Sequence, residues 1–159
     1  MVREEQLEII NREENKTMEL EQFLSQVEDL ADFGSRSEVE QAVKVSLGTL
    51  GERLYRTRRE KLASQLPDPL KDYLESEVDG EAVRQDTPRY SLEEYYKRVA
   101  ARADLSLEDA VARSRRVMVV LTQAVSPELL DEILDGLPDE YRELFGQNPQ
   151  DPASPTALN

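Results

Sequence analysis

The chain has 159 residues, with 34 acidic and 20 basic side chains, a formal charge of −14, and no histidine, cysteine or tryptophan. That length suits one compact domain or two very small ones, and the charge disfavours a sequence-blind grip on nucleic acid or anionic lipid. The missing residue types remove zinc-finger frameworks, Ser-His and Cys-His nucleophiles, histidine-ligated haem and disulfides, leaving carboxylate, lysine, tyrosine or serine chemistry, or binding without chemistry.

Met1 to Gln6 lack the basic-then-apolar pattern of a secretory signal, and no run approaches the ~18 apolar residues of a membrane span, so a cytoplasmic protein is expected. Residues 1–18 carry Val2, Leu7, Ile9 and Ile10 among charges, enough for a short amphipathic helix. Leu20, Phe23, Leu24, Val27, Leu30 and Ala31 then fall at helical spacing, predicting a helix over 19–32. Val39, Ala42, Val43, Leu47, Leu50 and Leu54 predict a longer one over 37–55, opened by Ser35 with Glu38 three residues on. A third is expected over 57–65 and a fourth over 68–78, where Asp68-Pro69 reads as a cap followed by proline at the first helical position. Residues 79–90, with Gly80 and Pro88, read as a polar linker.

Beyond the linker the pattern returns. Helices are expected over 92–104, 107–124, 127–136 and 139–146, the first three opened by Ser91, Ser106 and Ser126-Pro127. Residues 147–159 hold Pro149, Pro152 and Pro155 and little that is apolar, which predicts a disordered tail.

Laying the second half on the first exposes an internal duplication. At an offset of 71, Leu66-Pro67-Asp68 falls on Leu137-Pro138-Asp139, Ser35 on Ser106, Leu47 on Met118 and Leu50 on Leu121; upstream, at 72, Phe23 falls on Tyr95 and Val27 on Val99. The expected fold class is therefore all-α: two tandem four-helix repeats, 19–78 and 91–146, packed into one bundle, because a single repeat buries too little surface to be secure alone.

Phe23-x-x-x-Val27, Gly51-Glu52-Arg53-Leu54 closing the long helix, and Leu62-Ala63-x-Gln65-Leu66-Pro67 with its echo at Leu137-Pro138 resemble the bacterial family catalogued as domain of unknown function 2267, over roughly residues 20–146. The resemblance implies an all-helical bacterial cytosolic protein with no assigned activity, and it lends no functional residues. Gln123-Ala124-Val125 stands where Glu52-Arg53-Leu54 is expected, so the second half departs from the pattern.

Arg53, Arg56, Arg58, Arg59 and Lys61 form the densest basic cluster, at the junction of the second and third helices. Guanidinium groups massed in a turn suit phosphate, a carboxylate-rich partner or RNA; the competing reading is a helix C-terminus complemented by cations that pair with surface carboxylates. Glu128 to Glu143 make an acidic counterpart, and the two ends suit head-to-tail docking or different partners. Gly48-Thr49-Leu50-Gly51 spells the glycine turn of a nucleic-acid clamp, but the apolar face running through it favours close helix packing or an early helix end. Glu75 to Asp86 has a faint calcium-loop outline that lacks the bidentate glutamate at its twelfth position. Tyr90, Tyr95, Tyr96 and Tyr141 suit aromatic platforms, although Tyr95, aligned with Phe23, reads as core.

The sequence thus names no catalytic, cofactor-binding or metal-binding residue. It favours a non-enzymatic interaction module that meets a protein partner, or a second copy of itself, through a groove between the repeats or through the basic cluster. The alternative is a small-ligand or carboxylate-based enzymatic domain with its pocket at the repeat interface.

Overall fold

The computed structural model describes residues 19–30, 34–78 and 90–147. The readings for 1–18, for the calcium outline beyond Val78, for the linker before Tyr90 and for the tail beyond Gln147 lie outside them. Among the described residues there are seven α-helices, one 3-10 helix and no strand: α1 Leu20–Leu30, α2 Arg36–Arg53, α3 Arg56–Ser64, α4 Asp68–Glu75, α5 Leu92–Ala103, α6 Leu107–Ala124, α7 Pro127–Asp135, then the 3-10 helix Asp139–Arg142. None of these helices is long and apolar enough to cross a membrane.

The caps read from sequence hold. The hydroxyls of Ser35, Ser91, Ser106 and Ser126 each accept the backbone N–H three residues on, satisfying a donor that the first helical turn leaves orphaned. At α4 the start shifts by one: Pro67 is the N-cap and Asp68 lies inside the first turn, where its charge suits the positive end of the helix. At the C-terminus of α5, Asp104 takes the left-handed conformation at φ 56° and sends its N–H back to Ala100.

Helix α2 is the axle. It packs against α1, α4, α5 and α6, and every side chain from Val45 to Gly51 is buried. α6, of equal length, buries only one face, through Ala110, Ser114, Val117, Met118, Val120, Leu121 and Ala124. Phe23, Leu47, Leu50, Tyr95, Met118, Tyr141 and Phe145 belong to one continuous core fed by both halves of the chain.

Two glycines let α4 lie against α2. A β-carbon on Gly51 would collide with the backbone carbonyl of Leu74, and one on Gly48 would meet the Ser76 hydroxyl at 2.6 Å and the Tyr73 carbonyl oxygen at 3.2 Å. Of the two readings of Gly48 to Gly51, close helix packing is the one seen: the pair is buried inside a helix and not in a nucleic-acid turn. The matched positions on α6 are Val119 and Thr122, and there the expected fourth helix over 139–146 is instead the short 3-10 helix followed by turns through Gly146.

Candidate functional site

Within the basic cluster, position along two helix ends decides each side chain's fate. Arg53 and Arg59 are only 5% and 7% exposed. Arg59 donates from Nη1 to the carbonyls of Gly51 and Leu54, both at 3.2 Å, and so satisfies acceptors at the end of α2. Arg58 reaches across to α7, where Nε donates to the Glu132 carbonyl at 2.8 Å and the guanidinium lies over Gly136. Lys61 pairs with the Glu132 carboxylate at 2.9 Å, and exposed Arg56 pairs with Glu60 at 3.0 Å along α3. A second clasp runs beside the first: Gln65 accepts the Ser126 N–H at 2.8 Å and faces the Ser126 hydroxyl at 3.2 Å. Four of the five cluster residues thus hold backbone or side chain elsewhere in the fold.

Arg53 opens onto a polar seam between the two halves, which single-residue reading of the sequence missed. Its Nε donates to the Tyr90 carbonyl at 2.9 Å, and its guanidinium lies 5.9 Å from the Tyr90 ring centre and 5.3 Å from that of Tyr141, within cation–π range. The Tyr141 hydroxyl donates to the same Tyr90 carbonyl at 2.8 Å. Glu52, next along α2, receives Arg98 and Arg102 of α5, both at 3.1 Å on one carboxylate oxygen, with the Tyr90 hydroxyl 3.2 Å away. Arg98 also stacks 4.1 Å over the Tyr90 ring, and Arg102 donates to the Thr49 hydroxyl at 3.1 Å. The hydroxyls of Tyr90 and Tyr95 reach the α2 carbonyls of Thr49 and Ser46 at 2.6 and 2.8 Å. The only sign of this seam in the sequence was Gly51-Glu52-Arg53-Leu54, whose counterpart reads Thr122-Gln123-Ala124-Val125.

The tyrosines of the seam are poor acids. Burial pushes Tyr141 up to about 12 against the lowering influence of Arg53, and burial raises Tyr90, Tyr95 and Tyr96 as well, with Glu52 adding to the rise at Tyr90 and Glu143 at Tyr96. Each phenol is therefore held as a hydrogen-bond donor. Among the described residues no group of three or more acidic side chains is placed to hold a metal ion.

Because Glu52 is 14% exposed and the two arginines 24% and 32%, removing it leaves two half-buried cations without their shared anion. Glu52→Ala should cost about 2 kcal/mol, below the value for a fully buried pair. Urea unfolding checks this, and a loss under about 0.5 kcal/mol would mean that solvent already screens the seam.

At another point where the halves meet, a half-open groove of about 290 Å³ lies between the start of α2 and the α5–α6 turn. Ala42, Ala103 and Leu105 supply its apolar lining; Ser37, Glu38, Gln41, Asp104 and Arg113 supply its polar lining. Leu107, at the first position of α6, is a large apolar side chain left 47% exposed.

A family model described as an uncharacterized conserved protein (DUF2267) matches residues 20–144. No curated protein matches the chain.

Proposed function

The chain belongs to the DUF2267 family of uncharacterized conserved proteins, and from that premise we propose that it is a cytoplasmic, non-enzymatic module whose two tandem repeats form one body that binds a protein partner at the groove between them. The duplication reading draws support from the way the helices exchange partners. α1 rests on α6 as α2 rests on α5. Arg58, early in α3, meets the end of α7, while Gln65, just past α3, meets the cap of α7, so that this pair runs antiparallel. That exchange is what a twofold relation between repeats produces.

The observation that carries the binding reading is the filled seam. Glu52, Arg53, Tyr90, Arg98, Arg102 and Tyr141 all have partners inside the protein, so the acids, bases and phenols at the repeat interface hold the halves together. The groove of about 290 Å³ falls at the floor of the roughly 300–1,000 Å³ range of small-molecule sites. A small groove lined by both apolar and polar side chains suits a side chain or two of a protein segment better than a whole substrate. The partner is a different protein or a second copy.

A photo-reactive residue in place of Gln41 should cross-link one discrete protein, and Ser37→Trp, which closes the groove, should abolish the adduct while Arg56→Glu leaves it. The opposite pattern would move the contact to the basic cluster. No adduct from either surface, together with saturable binding of a small molecule, would overturn the module in favour of a ligand pocket.

A further inference from the structure

Many carboxylates of this fold are matched by cations: Glu52 receives Arg98 and Arg102, and Glu60, Glu94 and Glu132 receive Arg56, Arg98 and Lys61. The groove between the start of α2 and the α5–α6 turn is different. Glu38 and Asp104 line it, both exposed, and neither carboxylate takes a hydrogen bond or an ion pair from any described residue. The Gln41 side chain beside them is equally without a described partner, whereas Arg113, the one cation among the described lining residues, has a partner of its own. Just beyond the α5–α6 turn, the first turn of α6 exposes Leu107, Glu108 and Asp109. The groove thus sets apolar lining from Ala42, Ala103 and Leu105 beside negative charge that the fold does not neutralise.

We propose that the groove takes a basic segment of a partner protein, an apolar side chain flanked by lysine or arginine. The inference rests on the binding-module reading and narrows its partner to a different, basic protein. The apolar side chain fills the space between Ala42, Ala103 and Leu105, and the flanking cations meet Glu38 and Asp104 in charge-assisted contacts. Gln41 can donate or accept beside them. An acidic segment would bring carboxylates against Glu38 and Asp104, with Arg113 already engaged, and like charges set against each other across an interface are costly. A second copy is disfavoured on the same ground, since each chain carries −14 and the two repel. The field that repels a copy attracts a basic partner and quickens its arrival.

The test uses the full chain and, as probe, a short peptide with a central leucine flanked on both sides by lysines. Amide NMR shifts should concentrate at Gln41, Ala103 and Leu105, and the affinity should fall as salt is added. Glu38→Gln together with Asp104→Gly should weaken binding about tenfold. Glycine suits the left-handed backbone at Asp104, φ 56°, so the melting temperature of that variant should hold or rise, and its loss of binding is not a loss of fold. Asp104→Asn, which also tolerates that conformation, repeats the readout should the glycine variant melt earlier. A peptide with glutamates in place of the lysines should not bind, and one with alanine in place of the leucine should bind more weakly. The proposal is overturned by shifts mapping elsewhere, by equal affinity of the acidic or the alanine peptide, by unchanged affinity of the double variant, or by no binding at millimolar peptide. Self-association of the chain that strengthens with salt and covers the groove would also overturn it, seating a second copy there. If the Gln41 adduct forms and Ser37→Trp abolishes it while the basic peptide fails, the groove reading stands and its occupant is not basic; if neither adduct nor peptide binding is seen, both readings fall.

Discussion

Gly51→Ala should destabilise the protein by about 2–3 kcal/mol, although alanine is ordinarily the better helix former by about 1 kcal/mol. The new β-carbon would lie 2.8 Å from the carbonyl carbon of Leu74 and closer still to its oxygen. These are backbone atoms of α4, which cannot turn aside as a side chain does, so the two helices must separate. Opening that contact loosens Leu70 and Leu74, both fully buried, and interior packing does not tolerate such gaps cheaply. Gly48→Ala should cost less, about 1 kcal/mol, because its nearest neighbours are the Ser76 hydroxyl and the Glu77 side chain. Thr122→Ala, at the matched place on half-buried α6, should stay within about 0.5 kcal/mol. Urea midpoints of the three variants give the order. A Gly51→Ala protein as stable as the parent would show that α4 is not seated on α2.

The same comparison explains what could be read in advance. Caps were legible because a serine and the backbone N–H three residues on interact locally, and the apolar faces of α1, α5 and α6 were legible because one side of each meets solvent. Helix α2 is buried on every side from Val45 onward, so the apolar face through Leu47, Leu50 and Leu54 pointed to close packing at Gly48 and Gly51 without showing that α4 is the helix they meet. The seam was invisible to local reading. Its contacts join Glu52 to Tyr90 and Arg98, separations of 38 and 46 residues, and no spacing rule ties such positions together. The basic cluster looked uniform because five cations fall within nine residues, yet a bend between α2 and α3 sends Arg53 and Arg59 inward, Arg58 and Lys61 toward α7, and leaves Arg56 on the surface.

Raising the pH beyond about 10, the ordinary tyrosine value, should unfold the protein steeply. In the unfolded chain every phenol ionises near that value. In the folded protein Tyr141 is held up to about 12 by burial, and Tyr90, Tyr95 and Tyr96 are also raised, burial again being the main cause. The sign follows from proton counting: above pH 10 the native state binds more protons than the unfolded state, so stability is complete below 10 and falls as pH rises toward the folded values. Each such tyrosine contributes a slope of about 1.4 kcal/mol per pH unit. Four together remove roughly 5 kcal/mol within one unit, comparable with the whole stability of a typical domain. Denaturant midpoints across the alkaline range, followed alongside phenolate absorbance, should show phenolate appearing together with loss of helix. Tyr95→Phe should lessen the slope by about one tyrosine's share, and it should fold, because phenylalanine already occupies the matched position as Phe23. It also frees the Ser46 carbonyl of its tyrosine partner, so its stability at neutral pH should fall by about 1 kcal/mol while its alkaline limit moves upward. Phenolates titrating at their ordinary value in a fully helical protein would mean that water already reaches these hydroxyls, and the seam would then not be the closed contact between halves on which the binding-module reading depends.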